Sequence, residues 1–332
     1  MKAARNGTLT HVGVLALSVV VAVGVWTRDK APKALAAGDV TVWSGHGADV
    51  ERITYESKTR KVTVDARKDA EGRYFVGSFE HEATAAHASH DAGAPPPGVR
   101  TTLGFVSVGP AEKLADALGG LKALRDLGKI GDDRAAEFGL ADPEATVTVK
   151  VAGVEHKLFI GIATPGGGDR YARDAASGEV YVLKGEPVRN LESADSLLLE
   201  HDLHDWKDPV VSRARITAGG KARDLVRGGP ESKRFWADSQ SPETNDETLG
   251  NWMSKLDRLR PTEYAEKDPE PREALLKVEY TGKGPLGYVE LIKVTGADKP
   301  GFYLRTEHTR LFGKVTPALA EQLEQDLGAV VK

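Results

Sequence analysis

Shifting the chain by 132 residues brings its two halves into register, and this self-similarity constrains the fold more than any local motif does. Phe159 and Ile160 then face Leu291 and Ile292, Tyr171 faces Tyr303, Arg173 faces Arg305, Val180 faces Phe312, Leu183 faces Val315 and Leu191 faces Leu323. The same shift sets Leu121, Leu124 and Leu127 opposite Met253, Leu256 and Leu259. It predicts one helix in each half, PAEKLADALGGLKALRDL and DETLGNWMSKLDRL, each with apolar residues at the three-to-four spacing of a one-faced helix. Pro110 can begin the first and Gly128 end it, while Asn245 or Asp246 can cap the second.

A one-faced helix needs a sheet to cover. Val147, Val149 and Val151 alternate with Thr146, Thr148 and Lys150, the pattern of a strand with one packed face and one wet face. Short runs joined by turns such as TPGGGD and AASGE favour antiparallel connections. The predicted fold class is α+β: two tandem repeated domains, each a mostly antiparallel sheet covered by a helix, behind an N-terminal transmembrane helix. Residues 1–36 are read as tail, anchor and linker, 37–200 as the first domain and 201–332 as the second. Ile53 corresponds to Ile216 at an offset of 163, so the first domain carries about 31 additional residues. They are assigned to a flexible loop at about 79–107, containing HEATAAHASHDAGAPPPG.

The anchor is read from TLTHVGVLALSVVVAVGVW, Thr8 to Trp26, preceded by Lys2 and Arg5 and closed by Arg28, Asp29 and Lys30. As a helix it would be about 28 Å long, near the roughly 30 Å of a bilayer core. That reading predicts a single-pass protein of the bacterial inner membrane with its body in the periplasm. The competing reading is a signal peptide cleaved before Ala37, after Ala34-Leu35-Ala36. There is no cysteine among the 332 residues, which excludes disulfides and thiolate chemistry, and a net charge of -4 gives no general attraction to nucleic acid.

Each chemical candidate has a structural competitor. Tyr303, Arg305, Glu307, His308 and Arg310 look reactive together, yet Tyr-x-Arg recurs as Tyr171 and Arg173, which points to a structural role. His81, His87 and His90, with Glu80, Glu82 and Asp91, match no compact zinc spacing. Glu200, His201, Asp202, His204 and Asp205 are read as a helix terminus or hinge, with a metal site as the competing reading. The glycines of GIATPGGGDRYA lack the lysine and hydroxyl of a phosphate loop, and Ser241 with Asp246 has no nearby histidine to activate it. No catalytic residue, metal ligand or cofactor is therefore assigned. A partner or ligand surface is assigned to Tyr171, Arg173, Trp236, Trp252, Tyr303 and Arg305.

The run LGGLKALRDL, then DDRAAEFGLADPEATVTV, HKLFIG, RYAR and EVYVL, resembles the bacterial domain-of-unknown-function family 4340, with FGLADP the most characteristic stretch. The resemblance extends over most of residues 48–325, although the second half does not repeat the FGLADP wording. It implies a membrane-anchored extracytoplasmic protein accompanying ABC-transporter components like those of gliding systems, and it supplies no catalytic residues. The leading expectation is a non-enzymatic accessory or scaffold subunit of such a complex, partnered by a transporter permease or another envelope protein. A glycan- or peptide-binding envelope module is the alternative, and an envelope hydrolase a more distant one.

Overall fold

The computed structural model describes residues 40–82, 99–295 and 301–331. The first domain opens with β1 (Val40–Thr41), β2 (Val50–Ser57), β3 (Arg60–Asp69), β4 (Gly72–Glu82) and β5 (Arg100–Ser107), followed by helix α1 (Gly109–Gly119). It continues through β6 (Lys122–Ala123), β7 (Arg125–Lys129), the short α2 (Asp132–Ala135), β8 (Ala145–Val151), β9 (Val154–Ala163), β10 (Arg170–Asp174) and β11 (Glu179–Leu183), and ends in α3 (Glu186–Glu192) and α4 (Ala194–Leu197). The second domain comprises β12 (Arg213–Ala218), β13 (Lys221–Gly228), β14 (Phe235–Asp238), α5 (Glu247–Leu256), β15 (Pro261–Tyr264), β16 (Arg272–Thr281), β17 (Pro285–Val294), β18 (Gly301–Thr306), β19 (Gly313–Val315) and α6 (Pro317–Val330).

The two large sheets run β5-β4-β3-β2-β8-β9-β10-β11-β7 and β14-β13-β12-β16-β17-β18-β19-β15, and neighbouring strands within each pair antiparallel. Without β5, the first order traces the same path as the second. In both domains a helix, α1 or α5, links a strand at one edge of the sheet to the strand at the other edge, β7 or β15. That route lays the helix across one sheet face. Ile53, Val62, Val64, Val147, Val149, Leu158 and Ile160 are buried in the first core, and Ile216, Leu225, Val278, Val289 and Leu291 in the second. Thr54, Thr63 and Thr148 alternate with the buried residues and lie on the wetter face.

The register of the helices differs from the 132-residue shift. Ala111, Leu114, Ala115 and Leu118 are buried on α1, and Leu249, Trp252, Met253 and Leu256 on α5. These sets share the i, i+3, i+4, i+7 spacing at an offset of 138. The first helix also ends earlier than its apolar periodicity predicts. At Gly119 and Gly120 the chain passes against residues 45–47: a Cβ on Gly119 would lie 2.6 Å from the His46 carbonyl carbon, and one on Gly120 would lie 2.6 Å from the Gly45 oxygen. Leu124 therefore falls in the bend between β6 and β7, and Leu127 in β7, where it is 38% exposed. The second helix is capped by Asp246, whose Oδ1 accepts from the Leu249 N–H at 3.0 Å.

Two further expectations are corrected. The segment at about 79–107 is not one flexible loop, because β4 extends to Glu82 and Arg100–Ser107 forms β5, an edge strand with no counterpart in the second sheet. The N-terminal transmembrane helix is not supported: among the described residues no helix is long and apolar enough to cross a membrane, the longest being the 14-residue α6. Residues 8–26 and the cleavage position before Ala37 lie outside the described residues. The fold class is α+β with antiparallel sheets. The single-pass inner-membrane location, the periplasmic body and the membrane-anchored accessory role rested on that helix and are not retained.

Candidate functional site

The chain between the domains is packed against both of them. Glu200 is 4% exposed at the end of the first domain; its Oε2 accepts from the Val108 N–H at 3.0 Å and its Oε1 from the Asp202 N–H at 3.2 Å. The His308 imidazole of the second domain stands 3.7 Å from the same Oε2. Burial alone raises the Glu200 pKa, but His308 and the two N–H groups outweigh it and hold the carboxyl below its ordinary value. Tyr264, on β15, donates its hydroxyl to the Glu200 backbone oxygen at 2.8 Å, and burial raises its own pKa well above normal.

Farther along, His204 Nδ1 lies 2.6 Å from Glu307 Oε1, Trp206 Nε1 donates to that oxygen at 3.2 Å, and the Tyr288 N–H donates to Oε2 at 2.7 Å. The His204 ring stacks on Trp206 with centroids 4.0 Å apart. Arg310 completes the seam. It adopts a left-handed backbone at φ 59, donates to the His308 oxygen at 2.6 Å, and reaches Asp69 of the first domain at 3.4 Å. A left-handed arginine costs on the order of 1 kcal/mol, so the turn is held there by its contacts.

Beside this seam the wet faces of the sheets are concave. A pocket of about 800 Å³ in the first domain is lined by Arg52, Asp65, Arg67 and Lys150, and one of about 830 Å³ by Arg215, Asp224, Glu279 and Tyr288 of the second domain with Glu71 of the first at its edge. The same cross-strand ion pair occupies both: Arg52 to Asp65 at 2.5 Å and Arg215 to Asp224 at 3.4 Å, each pair directly opposed in register. Between the domains lies a third pocket of about 370 Å³, with Thr63, Arg67, Tyr74 and Ser78 on one wall and Glu266 and Leu311 on the other. Asp65 and Arg67 line both the first and the third pocket, so these two are contiguous.

The residues assigned from sequence to a partner surface are not brought together. Trp252 is 1% exposed and donates to the Leu323 oxygen at 3.1 Å; Trp236 is 4% exposed beneath the Arg227 guanidinium, 4.0 Å from the ring centre. Neither lines a cleft. Tyr171 packs edge-on against Phe138 with centroids 4.8 Å apart, and Arg173 donates to the Leu140 oxygen at 3.3 Å, so this pair holds the FGLADP segment. Arg305 pairs with Glu290 at 2.8 Å and covers the Phe312 ring at 4.3 Å, while Tyr303 is half-buried on the same strand. His81 lies by Thr101 Oγ1 at 3.1 Å, and His87, His90 and Asp91 lie outside the described residues. Among the described residues no group of three His, Asp or Glu side chains is arranged to hold a metal.

Asp65, Arg67, Tyr74 and Glu266 belong to no motif that the sequence singles out. Only Asp65 has a signal along the chain: Arg-Ile-Thr recurs at 52–54 and 215–217 and supplies the arginine of each repeated ion pair.

The fold and seam thus define a protein of two topologically matching antiparallel α+β domains, joined through a connection in which Glu200 is buried and His204 partly buried. The chain belongs to the family described as domain of unknown function (DUF4340), whose model matches residues 110–277. The match runs from α1 into β16 and so includes the interdomain connection with Glu200 and His204. Among curated proteins and solved structures, nothing matches the chain.

Proposed function

We propose that this chain is a non-enzymatic recognition module that binds an extended peptide segment of a partner protein in the cleft between its domains. The observation that carries the reading is the cleft itself, which is contiguous with the concave face of the first sheet and lined by Arg67, Tyr74 and Glu266 from both domains. Charged side chains beside an aromatic suit an extended chain with alternating polar groups. A binding role without catalysis is supported by where the acid and base groups sit: Glu200, His204, Glu307 and His308 face one another and backbone amides across the seam. A transporter permease, the partner class that the family resemblance implies, offers such segments in its extramembrane loops.

A photo-crosslinking residue at Ser78, in the cleft, and another at Glu321, on the exposed side of α6, test this in cells producing the full chain. A polypeptide adduct at Ser78 that is lost with Arg67→Glu, with none at Glu321, is expected. A glycan adduct, or equal labelling at both positions, overturns it.

A further inference from the structure

The first domain holds a second kind of cavity, on the helix side of its sheet and independent of the polar cleft. It measures about 280 Å³. That is roughly twice the ~150 Å³ of an apolar cavity able to enclose a benzene ring. Val147, Leu158 and Ile160 line it from the sheet, Leu118 from α1, and Val188 and Leu191 from α3. Three charged side chains also line it, Asp116, Lys122 and Lys184, all exposed. Neither lysine ammonium group has a hydrogen-bond or ion-pair partner among the described residues, so the charge available at the mouth is positive on balance.

The duplicated domain carries larger groups at the corresponding positions. Leu191 corresponds to Leu323, and the Leu323 carbonyl accepts the Trp252 indole N–H at 3.1 Å. On α1 the positions matching Trp252 and Met253 are Leu114 and Ala115, and α3 has 7 residues where α6 has 14. The cavity thus lies where the first domain has smaller side chains and a shorter helix than the second.

We propose that this cavity binds a free medium-chain carboxylate, with the alkyl chain among Val147, Leu158, Ile160 and Leu191 and the head group at Lys122 and Lys184. An apolar interior favours an alkyl chain over a polar ligand, and two unpaired ammonium groups at the entrance favour an anionic head over a neutral or cationic one.

The test uses the full chain and a fluorescent fatty-acid probe displaced by decanoate, decanol or decylamine. Decanoate is expected to displace the probe at concentrations about tenfold lower than decanol, with decylamine weakest. Lys122→Glu with Lys184→Glu should reverse the order of decanoate and decylamine, and Ala117→Phe, at an exposed position lining the cavity, should reduce displacement by all three. Circular dichroism of both variants verifies that the fold is kept. Failure of decanoate to displace the probe, an unchanged ligand order in the double variant, unaltered binding in Ala117→Phe, or displacement by dioctanoyl phosphatidylglycerol but not by decanoate would each overturn the proposal. None of these substitutions touches the polar cleft, so the result is independent of peptide recognition there.

Discussion

The Tyr264 hydroxyl donates to the backbone oxygen of Glu200 at 2.8 Å, and its ring is buried in the core of the first domain although β15 belongs to the second sheet. This side chain makes the two domains interdependent. Tyr264→Phe should cost about 1 kcal/mol, one hydrogen bond. Tyr264→Ala should cost about 3–5 kcal/mol and separate unfolding into two transitions. Urea titration followed by tryptophan fluorescence and far-ultraviolet circular dichroism measures both; coincident transitions in Tyr264→Ala would show that the domains are coupled elsewhere.

Glu200 makes the seam sensitive to acid. Its folded-state pKa lies below the ordinary 4.5, so the ionised form is the one that folding favours. The resulting stability is present in full above the unfolded value and declines as pH falls through the folded one. Wild type and Glu200→Gln should therefore differ most in urea midpoint at neutral pH and converge as the pH falls below the lowered folded-state value. A difference that grows on acidification would reverse the assigned sign.

Gly104 sets how closely the sheet edges meet. A Cβ there would lie 2.6 Å from the Tyr264 backbone oxygen, an atom that cannot rotate away. Gly104→Ala is expected to lose about 1–3 kcal/mol through backbone displacement. Hydrogen exchange should localise the change to β5 and β15, and protection unchanged in both strands would refute the contact.

In the second core, Trp252 links α5 to α6 through its indole N–H. Trp252→Phe should destabilise by about 1–2 kcal/mol and Trp252→Ala by about 3–5 kcal/mol, as read from thermal and urea unfolding. Equal effects of the two would mean that the hydrogen bond, and not the ring volume, dominates.

One substitution should stabilise. Ala152 occupies the β8–β9 turn with φ 48, a conformation that its Cβ disfavours, and the residue is exposed. Ala152→Gly relieves that strain, partly offset by greater freedom of the unfolded chain, for a net gain of about 0.5 kcal/mol. A lower melting temperature would contradict this balance.

Strand alternation around Val147–Val151 and the glycine turn before Arg170 were legible because each depends on neighbours a few residues apart. The end of α1 was not: apolar spacing continues through Leu127, whereas the helix ends at Gly119, where residues 45–47 pass too close for a side chain at either glycine. The aromatic candidates failed for a related reason. Composition reveals that Trp236 and Trp252 are large, but their burial depends on Arg227 and Leu323 arriving from other elements. The membrane reading rested on an apolar run that lies outside the described residues.

By itself the sequence determined the antiparallel α+β class and the correspondence of strands between its halves, because strand period and turn chemistry are local and survive duplication. Tertiary structure alone decided the seam, the cleft and the apolar cavity. Glu200 meets Tyr264 and His308 across long separations in the chain, and the first domain's cavity follows from helix length and side-chain volume summed over several elements. Such sums have no period to read along a chain.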